Sequence, residues 1–459
     1  MKLHDYINSL HDKRVTVVGI GISNRPLIEL LAENGIDVTA CDKRSAEKLG
    51  DYYDKLVSLG VKLKLGEAYL DDIEADVIFR TPGLHPLTDK LSEAVSRGAV
   101  LTSEMETFFE VCPCRIVAVT GSDGKTTTTS VIAEMLRRGG YTVHIGGNIG
   151  HPLLCEADSM KPEDIAVLEL SSFQLMTMNV SPDVAVVTNV APNHLDIHRS
   201  MDEYVDAKKN VFAHQNKNCR VVLNMDNDIT NDFAGEANGS VMMFSRRGKP
   251  ENGAYWENGS IFIAKNGETR QLMDSSEIFL PGVHNIENYM AAFCAVQGYV
   301  TDEVCVQTAK EFTGVEHRIE YVRTVRGVKY YNDSIASSPS RTIAGLRSFT
   351  QKLILIAGGK DKGVPFDVLG PEIIEHVKTL VLTGFTAEKL RDTVMNTEGY
   401  NGSPEIYIID GFKDAVLEAQ KHAQKGDIVI LSPACTSFDR FANFEERGNT
   451  FKAIVNELE

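Results

Sequence analysis

The stretch Arg115-Ile-Val-Ala-Val-Thr-Gly121-Ser-Asp-Gly124-Lys125-Thr126-Thr127-Thr128 decides the architecture. An apolar, β-branched run reads as a buried strand, two glycines interrupt it, and Lys-Thr-Thr leads into a helical pattern. In that setting the glycines let backbone N–H groups wrap an anion, and the helix N-terminus adds partial positive charge. Lys125 is placed to reach terminal phosphates, and Thr126 to offer a hydroxyl to Mg²⁺. The spacing is GxxGKT, with Val119 where GxxxxGKT wants its first glycine, so the loop is a shortened P-loop. ATP binding through Gly121, Ser122, Asp123, Gly124, Lys125, Thr126, Thr127 and Thr128 is the expectation. A turn with no ligand does not need Lys-Thr-Thr after two glycines.

Outward from this loop, short β-branched runs alternate with helical patterns, the signature of parallel α/β sheets. Before it lie Arg14–Ile20, Asp37–Cys41, Val61–Leu65 and Ala75–Thr81. After it come Thr142–Ile145, Ile165–Leu170, Asp183–Val190 and Arg220–Asn224. Between Ala254 and Leu272 the pattern changes, and Asn-Gly pairs between apolar stretches predict an antiparallel insert. Helical stretches Asn285–Val300 and Asp302–Thr313 follow, then strands at Ile319–Tyr331, Lys352–Ala357, Thr379–Thr383, Glu405–Ile409 and Asp427–Leu431. Boundaries near residues 103 and 314 divide the chain into 1–103, 104–314 and 315–459, in keeping with about three domains for 459 residues.

Several strand ends carry chemistry, and an open α/β sheet binds its ligands there. The first strand ends in Gly19-Ile-Gly21-Ile-Ser23-Asn24, and Asp42 closes the second. Three readings stay open for this turn: a nicotinamide site, another nucleotide-diphosphate site, or a glycine turn without a ligand. Asn24 replaces the third glycine of the fingerprint, which weakens tight helix–strand packing. Glu169 is an oxygen donor suited to Mg²⁺ and His194 a nitrogen donor. Either residue alone reads equally as a loop cap, and Lys208 alone as a solvated helix lysine. In the last third, Glu316-His317-Arg318-Ile-Glu320, Asn332-Asp333-Ser334, Gly358-Gly-Lys-Asp-Lys362 and Ser432-Pro-Ala-Cys-Thr-Ser437 place lysine, serine and backbone amides after strands. Such loops suit a dicarboxylate, or serve as plain turns.

Composition bounds the function. Forty-seven Lys+Arg against 64 Asp+Glu give a net charge of −17, which disfavours nucleic acid but leaves room for a locally positive pocket. The eight cysteines have no zinc-site spacing, Cys112-Pro-Cys114 being one residue short of CxxC, so reduced thiols are expected. The opening MKLHDYINSLHDKR has no apolar signal segment, and no uncharged run approaches the ~20 residues of a membrane span. A cytoplasmic, membrane-free enzyme acting on small molecules, and a monomer, is the expectation.

The order GxGxSN, TGSDGKTT, GGNIG, ELSSFQL, NxxxxHLD, LPGxHNxxN, HRxE, NDS, GGxDK, SPACxSFD covers nearly the whole chain. It resembles the Mur ligases, which share a TGSxGKTT-like loop with the folylpolyglutamate synthetases. ELSSFQL and SPACTSFDRFANFEERGNTF are its most specific pieces. The resemblance implies an α/β fold of three domains. These are a Rossmann-like N-terminal domain, a central P-loop ATPase domain with a small antiparallel insert, and a Rossmann-like C-terminal domain. It implies an ADP-forming ligase of peptidoglycan precursor synthesis. That enzyme activates UDP-N-acetylmuramoyl-L-alanine as an acyl phosphate and joins it to D-glutamate.

By the same resemblance Gly19, Gly21, Ser23, Asn24, Asp42 and Arg44 would hold UDP rather than NAD. Asn148, Ser171 and Gln174 would position the precursor. Lys125, Glu169, His194 and Lys208 would be catalytic, with Thr126, Glu169, His194 and Lys208 about two Mg²⁺ ions and Lys208 carried as a carbamate. Asn285, Asn288, His317, Arg318 and Asp333 would contact the nucleotide. Lys362, Ser437 and Phe444, with Ser337, would receive D-glutamate. Two departures stand out: Pro192-Asn193 where the family often has Glu-Asp, and Ile335 in place of a lysine. Competing readings are a sister ligase using another amino acid, a nicotinamide dehydrogenase, and a non-catalytic nucleotide sensor.

Overall fold

A computed structural model of the chain describes residues 1–192 and 197–459. Three sheets form among these residues, and the chain divides into two compact units, Met1–Glu277 with Ile286–Lys310, and Ile278–Asn285 with Glu311–Glu459.

The first unit holds two sheets. Strands β1 (Val15–Val18), β2 (Val38–Asp42), β3 (Lys62–Leu65), β4 (Val77–Arg80) and β5 (Val100–Thr102) pair in the order β3-β2-β1-β4-β5. Every pairing is parallel, so the strand ends that carry Gly19, Asp42 and Thr81 lie along one edge. The strand Val100–Thr102 was not visible in the sequence, being only three residues long and half-exposed at the sheet's edge.

The second sheet contains β6 (Arg115–Thr120), β7 (Val143–Gly147), β8 (Ile165–Glu169), β9 (Val184–Val187), β10 (Arg220–Asn224), β11 (Ser240–Ser245), β12 (Gly253–Glu257), β13 (Ser260–Lys265) and β14 (Glu268–Asp274). Their order is β14-β13-β12-β11-β10-β9-β6-β8-β7. β6 to β12 are parallel, and β12-β13-β14 form the antiparallel insert that the Asn-Gly pairs predicted. β6, β8 and β9 are buried on both faces, which explains their continuous Val/Ile/Ala runs. One apolar cluster runs from Leu3, Val17 and Phe79 through Phe108 to Leu168 and Val187, so the core is continuous past residue 103.

In the second unit β15 (Glu320–Val325), β16 (Val328–Asn332), β17 (Leu353–Ala357), β18 (Val377–Leu382), β19 (Glu405–Ile408) and β20 (Ile428–Leu431) give the order β15-β16-β20-β17-β18-β19. The stretch read as one strand over 319–331 is a hairpin: β15 and β16 pair antiparallel around Arg326-Gly327, both at positive φ. The remaining pairings are parallel. All eight cysteines are free thiols. Among the described residues no helix is long and apolar enough to cross a membrane.

Candidate functional site

The phosphate loop follows β6, between the ends of β9 and β8. Gly124 sits at φ +79°, a left-handed turn, and a Cβ there would lie 2.3 Å from Asn288 Oδ1. The helix Lys125–Arg138 begins on this glycine with no side-chain cap, unlike the helices capped by Ser171 and Ser200. Its first-turn N–H groups are thus arranged for an anion rather than for a serine oxygen. The loop is held from β9: Ser122 N donates to Asn189 O (2.9 Å) and Asp123 N to Asn189 Oδ1 (2.9 Å). Thr128 donates to Asn288 Oδ1 at 3.3 Å, which brings that predicted residue to the loop.

Two ammonium groups converge on one carbonyl. Lys125 Nζ donates to Gly121 O and Ser122 O, both at 2.9 Å, and Lys208 Nζ donates to Gly121 O at 2.8 Å. Lys208 sits inside the helix Met201–Ala213, yet it is only 1 % exposed and lies over the Tyr204 ring at 4.6 Å. Its solvated reading is therefore corrected: the helix face that carries it is turned into the core. Burial, and then the Lys125 charge, push the Lys208 ammonium down to about 7. Two lysine side chains thus meet at one loop carbonyl of an acidic chain.

Glu169, 1 % exposed, ends β8 beside this loop. Asn148 holds it from β7, its Nδ2 donating to Glu169 Oε1 at 2.7 Å and its backbone N to Glu169 O at 2.8 Å. Glu169 Oε2 is buried with no hydrogen-bond partner. An orphaned carboxylate oxygen close to a phosphate loop fits a hard cation such as Mg²⁺. Thr126 is buried in the loop's first helical turn, where its hydroxyl suits the same ion. His194 lies outside the described residues, and among the described ones no group of three or more His, Cys, Asp or Glu gathers for a metal. Ser171 and Gln174 cap each other: Ser171 N and Oγ both donate to Gln174 Oε1 at 2.9 Å.

At the first sheet, Asp42 takes Ile20 N (2.7 Å), Arg44 N (2.8 Å), Arg44 Nε (2.9 Å) and Arg44 Nη2 (2.8 Å). Burial pushes this carboxyl up, but Arg44 and the two backbone N–H groups overcome it and hold it at about 2. The acid thus braces the Gly19–Asn24 turn and aims Arg44. Asn24 does not loosen the packing, as expected of a missing glycine. It is 1 % exposed, and its Nδ2 donates to Val18 O (3.2 Å) and Gly19 O (2.9 Å), stitching helix to strand.

In the second unit the loops after β16, β20 and β17, three neighbouring strands, meet. Lys360 N donates to Thr436 O (2.9 Å) and Thr436 N to Lys360 O (3.1 Å), joining the GGKDK and SPACTS loops. Asp333, 3 % exposed, accepts from Ser432 Oγ (2.7 Å) and Ile319 N (3.3 Å), and burial raises its carboxyl to about 7. His317 stands at φ +63°, takes a bond from Asn332 Nδ2 (2.9 Å), and meets Phe444 edge-on at 5.9 Å. Arg318 N donates to Val315 O at 2.9 Å, and Asn285 Nδ2 to Pro281 O at 2.6 Å. Ser437 is buried, Ser337 half-buried and Lys362 exposed. The sequence reading missed Arg447, which is 2 % exposed. It donates to Ser334 Oγ (3.0 Å), Ser334 O (2.8 Å) and Cys435 O (3.1 Å), locking two of these loops together. Its place within FANFEERGNTF was the available signal.

These loops match known proteins. The Mur ligase middle domain family matches residues 119–296, and the Mur ligase, glutamate ligase domain family matches residues 317–435. Two relatives named UDP-N-acetylmuramoylalanine--D-glutamate ligase are alike along the whole chain. The one from Ruminiclostridium cellulolyticum is 50% identical over 100% of this chain and 99% of its own. The one from Acetivibrio thermocellus is 52% identical over the same shares. The solved UDP-N-acetylmuramate-alanine ligase from Thermotoga maritima shares the fold, with TM-score 0.56 at 18% identity over 97% of this chain and 99% of that one. So does a pseudomurein peptide ligase type C from Methanothermus fervidus, with TM-score 0.52 at 19% identity over 98% and 100%. With two family matches and half its residues identical to full-length relatives, the chain belongs to the Mur ligase family.

Proposed function

We propose that this chain joins D-glutamate to UDP-N-acetylmuramoyl-L-alanine with conversion of ATP to ADP and phosphate, a step of peptidoglycan precursor synthesis in the cytoplasm. The carrying observation is the cluster at Gly121, where Lys125 and Lys208 both bond the carbonyl of the glycine loop and buried Glu169 pairs beside it at Val119. That cluster stands in a chain alike throughout to ligases of this name.

A free carboxylate is a poor electrophile. Transfer of the γ-phosphoryl group makes an O–P bond to the alanyl carboxylate and breaks the β–γ bridge, giving an acyl phosphate and ADP. The neutral amine of D-glutamate then attacks the carbonyl carbon. A C–N bond forms, the amine sheds a proton, and phosphate leaves. Lys125 and the loop N–H groups meet the charge on the transferring group. Thr126, Glu169, His194 and a carbamate on Lys208 would hold Mg²⁺, two ions in this reading, whose charge would offset that of the phosphates. Asn288 and Asn285, with His317, Arg318 and Asp333, are assigned to the nucleotide. Gly19, Gly21, Ser23, Asn24, Asp42 and Arg44 are assigned to UDP, and Asn148, Ser171 and Gln174 to the muramoyl end. The domains carrying these roles are 1–103, 104–314 and 315–459.

Lys362, Ser437 and Phe444, with Ser337, are assigned to D-glutamate, because a dicarboxylate needs charge-assisted partners. Losing one such partner costs roughly 1–3 kcal/mol, or about five- to 150-fold in affinity. Lys362→Ala should therefore raise the KM for D-glutamate by about that factor, leaving those for ATP and the UDP-precursor in place. An unchanged glutamate KM would remove Lys362 from the site.

A further inference from the structure

Arg80 ends β4 and is 0 % exposed, among the largest fully buried side chains of the described residues. Nothing in the reaction as derived above uses it. Burying a guanidinium is costly unless each N–H finds an acceptor. Arg80 spends its two Nη groups on two segments far apart in sequence, while its buried Nε has no hydrogen-bond partner. Nη1 donates to Leu84 O (2.7 Å), Pro82 O (3.2 Å) and Thr81 O (3.3 Å), the loop that follows its own strand. Nη2 donates to Phe173 O (2.9 Å) and Thr177 Oγ1 (3.3 Å), on and just after the short helix Ser172–Leu175. Burial pushes the guanidinium down only to about 10, with Glu106 opposing, so it stays charged at neutral pH.

Both segments lie against proposed substrate residues. The 81–84 loop packs on the Gly19 turn so closely that a Cβ on Gly19 would lie 2.7 Å from Thr81 Cβ. The short helix is the one that Ser171 and Gln174 cap, directly after Glu169. The residues that follow this loop, His85 and Leu87, are tied to the start of the helix Met201–Ala213. His85 Nε2 lies 3.2 Å from Glu203 Oε1, and Arg199 Nη2 donates to Leu87 O at 3.3 Å.

We propose that Arg80 is a positioning residue for the precursor: it sets the distance between the turn that holds the UDP end and the helix that orients the muramoyl-alanine end. A lysine cannot replace it, since one ammonium does not reproduce two separate, coplanar Nη groups aimed at two segments. The inference rests on the proposed precursor contacts of Gly19, Ser171 and Gln174.

The test uses the full chain, with Arg80→Lys and, as a milder cut, Thr177→Val, which removes one acceptor. Thermal unfolding, ADP affinity without precursor, and KM and kcat for precursor and ATP are measured for each. For Arg80→Lys the expectation is a precursor KM raised about tenfold or more, with ATP KM and ADP affinity within about twofold. Thr177→Val should shift the precursor KM in the same direction by less. A merely structural arginine predicts a lower Tm and a smaller active fraction, hence lower kcat, with both KM values unchanged.

An unchanged precursor KM in folded Arg80→Lys, or parallel rises in both KM values, overturns the proposal. Should Arg80→Lys fail to fold, an unchanged precursor KM in Thr177→Val overturns it instead. If the wild-type chain turns nothing over with D-glutamate, the functional reading fails on its own. Calorimetric binding of the UDP-precursor then decides: weaker binding by Arg80→Lys than by wild type sustains the proposal, and equal binding, or none by wild type, overturns it.

Discussion

Lys125→Ala is expected to lower kcat by about 10³-fold or more at saturating ATP, with the fold intact. The ammonium is held above the loop by Gly121 O and Ser122 O, both at 2.9 Å, so it is oriented before nucleotide arrives. Preorganised charge of this kind acts where charge develops in the transition state and needs no rearrangement during the reaction. The side chain is only half-buried, so its removal leaves no large cavity. Rapid-quench or steady-state phosphate release, beside a thermal melt, measures both halves of the expectation. A kcat near wild type would remove Lys125 from the transferring phosphoryl group.

Lys208→Ala should be nearly as damaging, with a loss of about 10²-fold or more, partly restored by added formate or acetate. A carbamate forms when the ammonium first gives up a proton and the neutral amine attacks CO2: an N–C bond forms, a C–O π pair moves to oxygen, and a second proton leaves, so that a cation becomes an anion. An ordinary lysine is almost wholly protonated at neutral pH, but burial brings Lys208 to about 7, so a large share is neutral there. The direction follows. As pH falls below about 7 the amine fills with protons and activity that depends on the carbamate should fall with it. The stability linkage has the same sign. Between about 7 and the ordinary lysine value of 10.5 the unfolded chain binds more protons than the folded one, so stability rises with pH across that window. Lys208→Arg, which stays charged, should not be active. Full activity in Lys208→Ala, or no rescue by any short carboxylate, would refute the carbamate.

Local chemistry made much of this legible. The β6 strand and its loop were readable because Gly124 needs a left-handed turn and Lys-Thr-Thr has no bland use after it. The insert was readable because Asn258-Gly and Asn266-Gly, with both asparagines at positive φ, are turn chemistry. What depends on tertiary placement was not. Lys208 has the spacing of an exposed helix lysine, and only the packing of its helix beside the loop buries it. Arg80 and Arg447 look like loop-edge charges in sequence, yet each is enclosed by carbonyls from distant segments. β11 (Ser240–Ser245) escaped notice because its apolar run is only four residues, Val241-Met-Met-Phe244, two of them methionine rather than β-branched, although it continues the parallel sheet. The β15–β16 hairpin was read as one run because Arg326-Gly327 is a single weak turn signal inside apolar sequence. Asp42 was correctly marked as an acid at a strand end, but its bonds to Ile20 and Arg44 could only be seen in the fold.

Amide-bond formation to D-glutamate driven by ATP can be measured directly. Product formation and phosphate release should be measured with UDP-N-acetylmuramoyl-L-alanine, ATP and Mg²⁺, offering D-glutamate, L-glutamate, D-aspartate, L-alanine, L-lysine and meso-diaminopimelate at equal concentration. Phosphate release should require both precursor and amino acid, with D-glutamate ahead of all others and L-glutamate inactive. Inverting the α-carbon would turn the amine away from the acyl phosphate while both carboxylates stay paired. Faster turnover with any other amino acid, or phosphate release indifferent to D-glutamate, would contradict the proposed reaction.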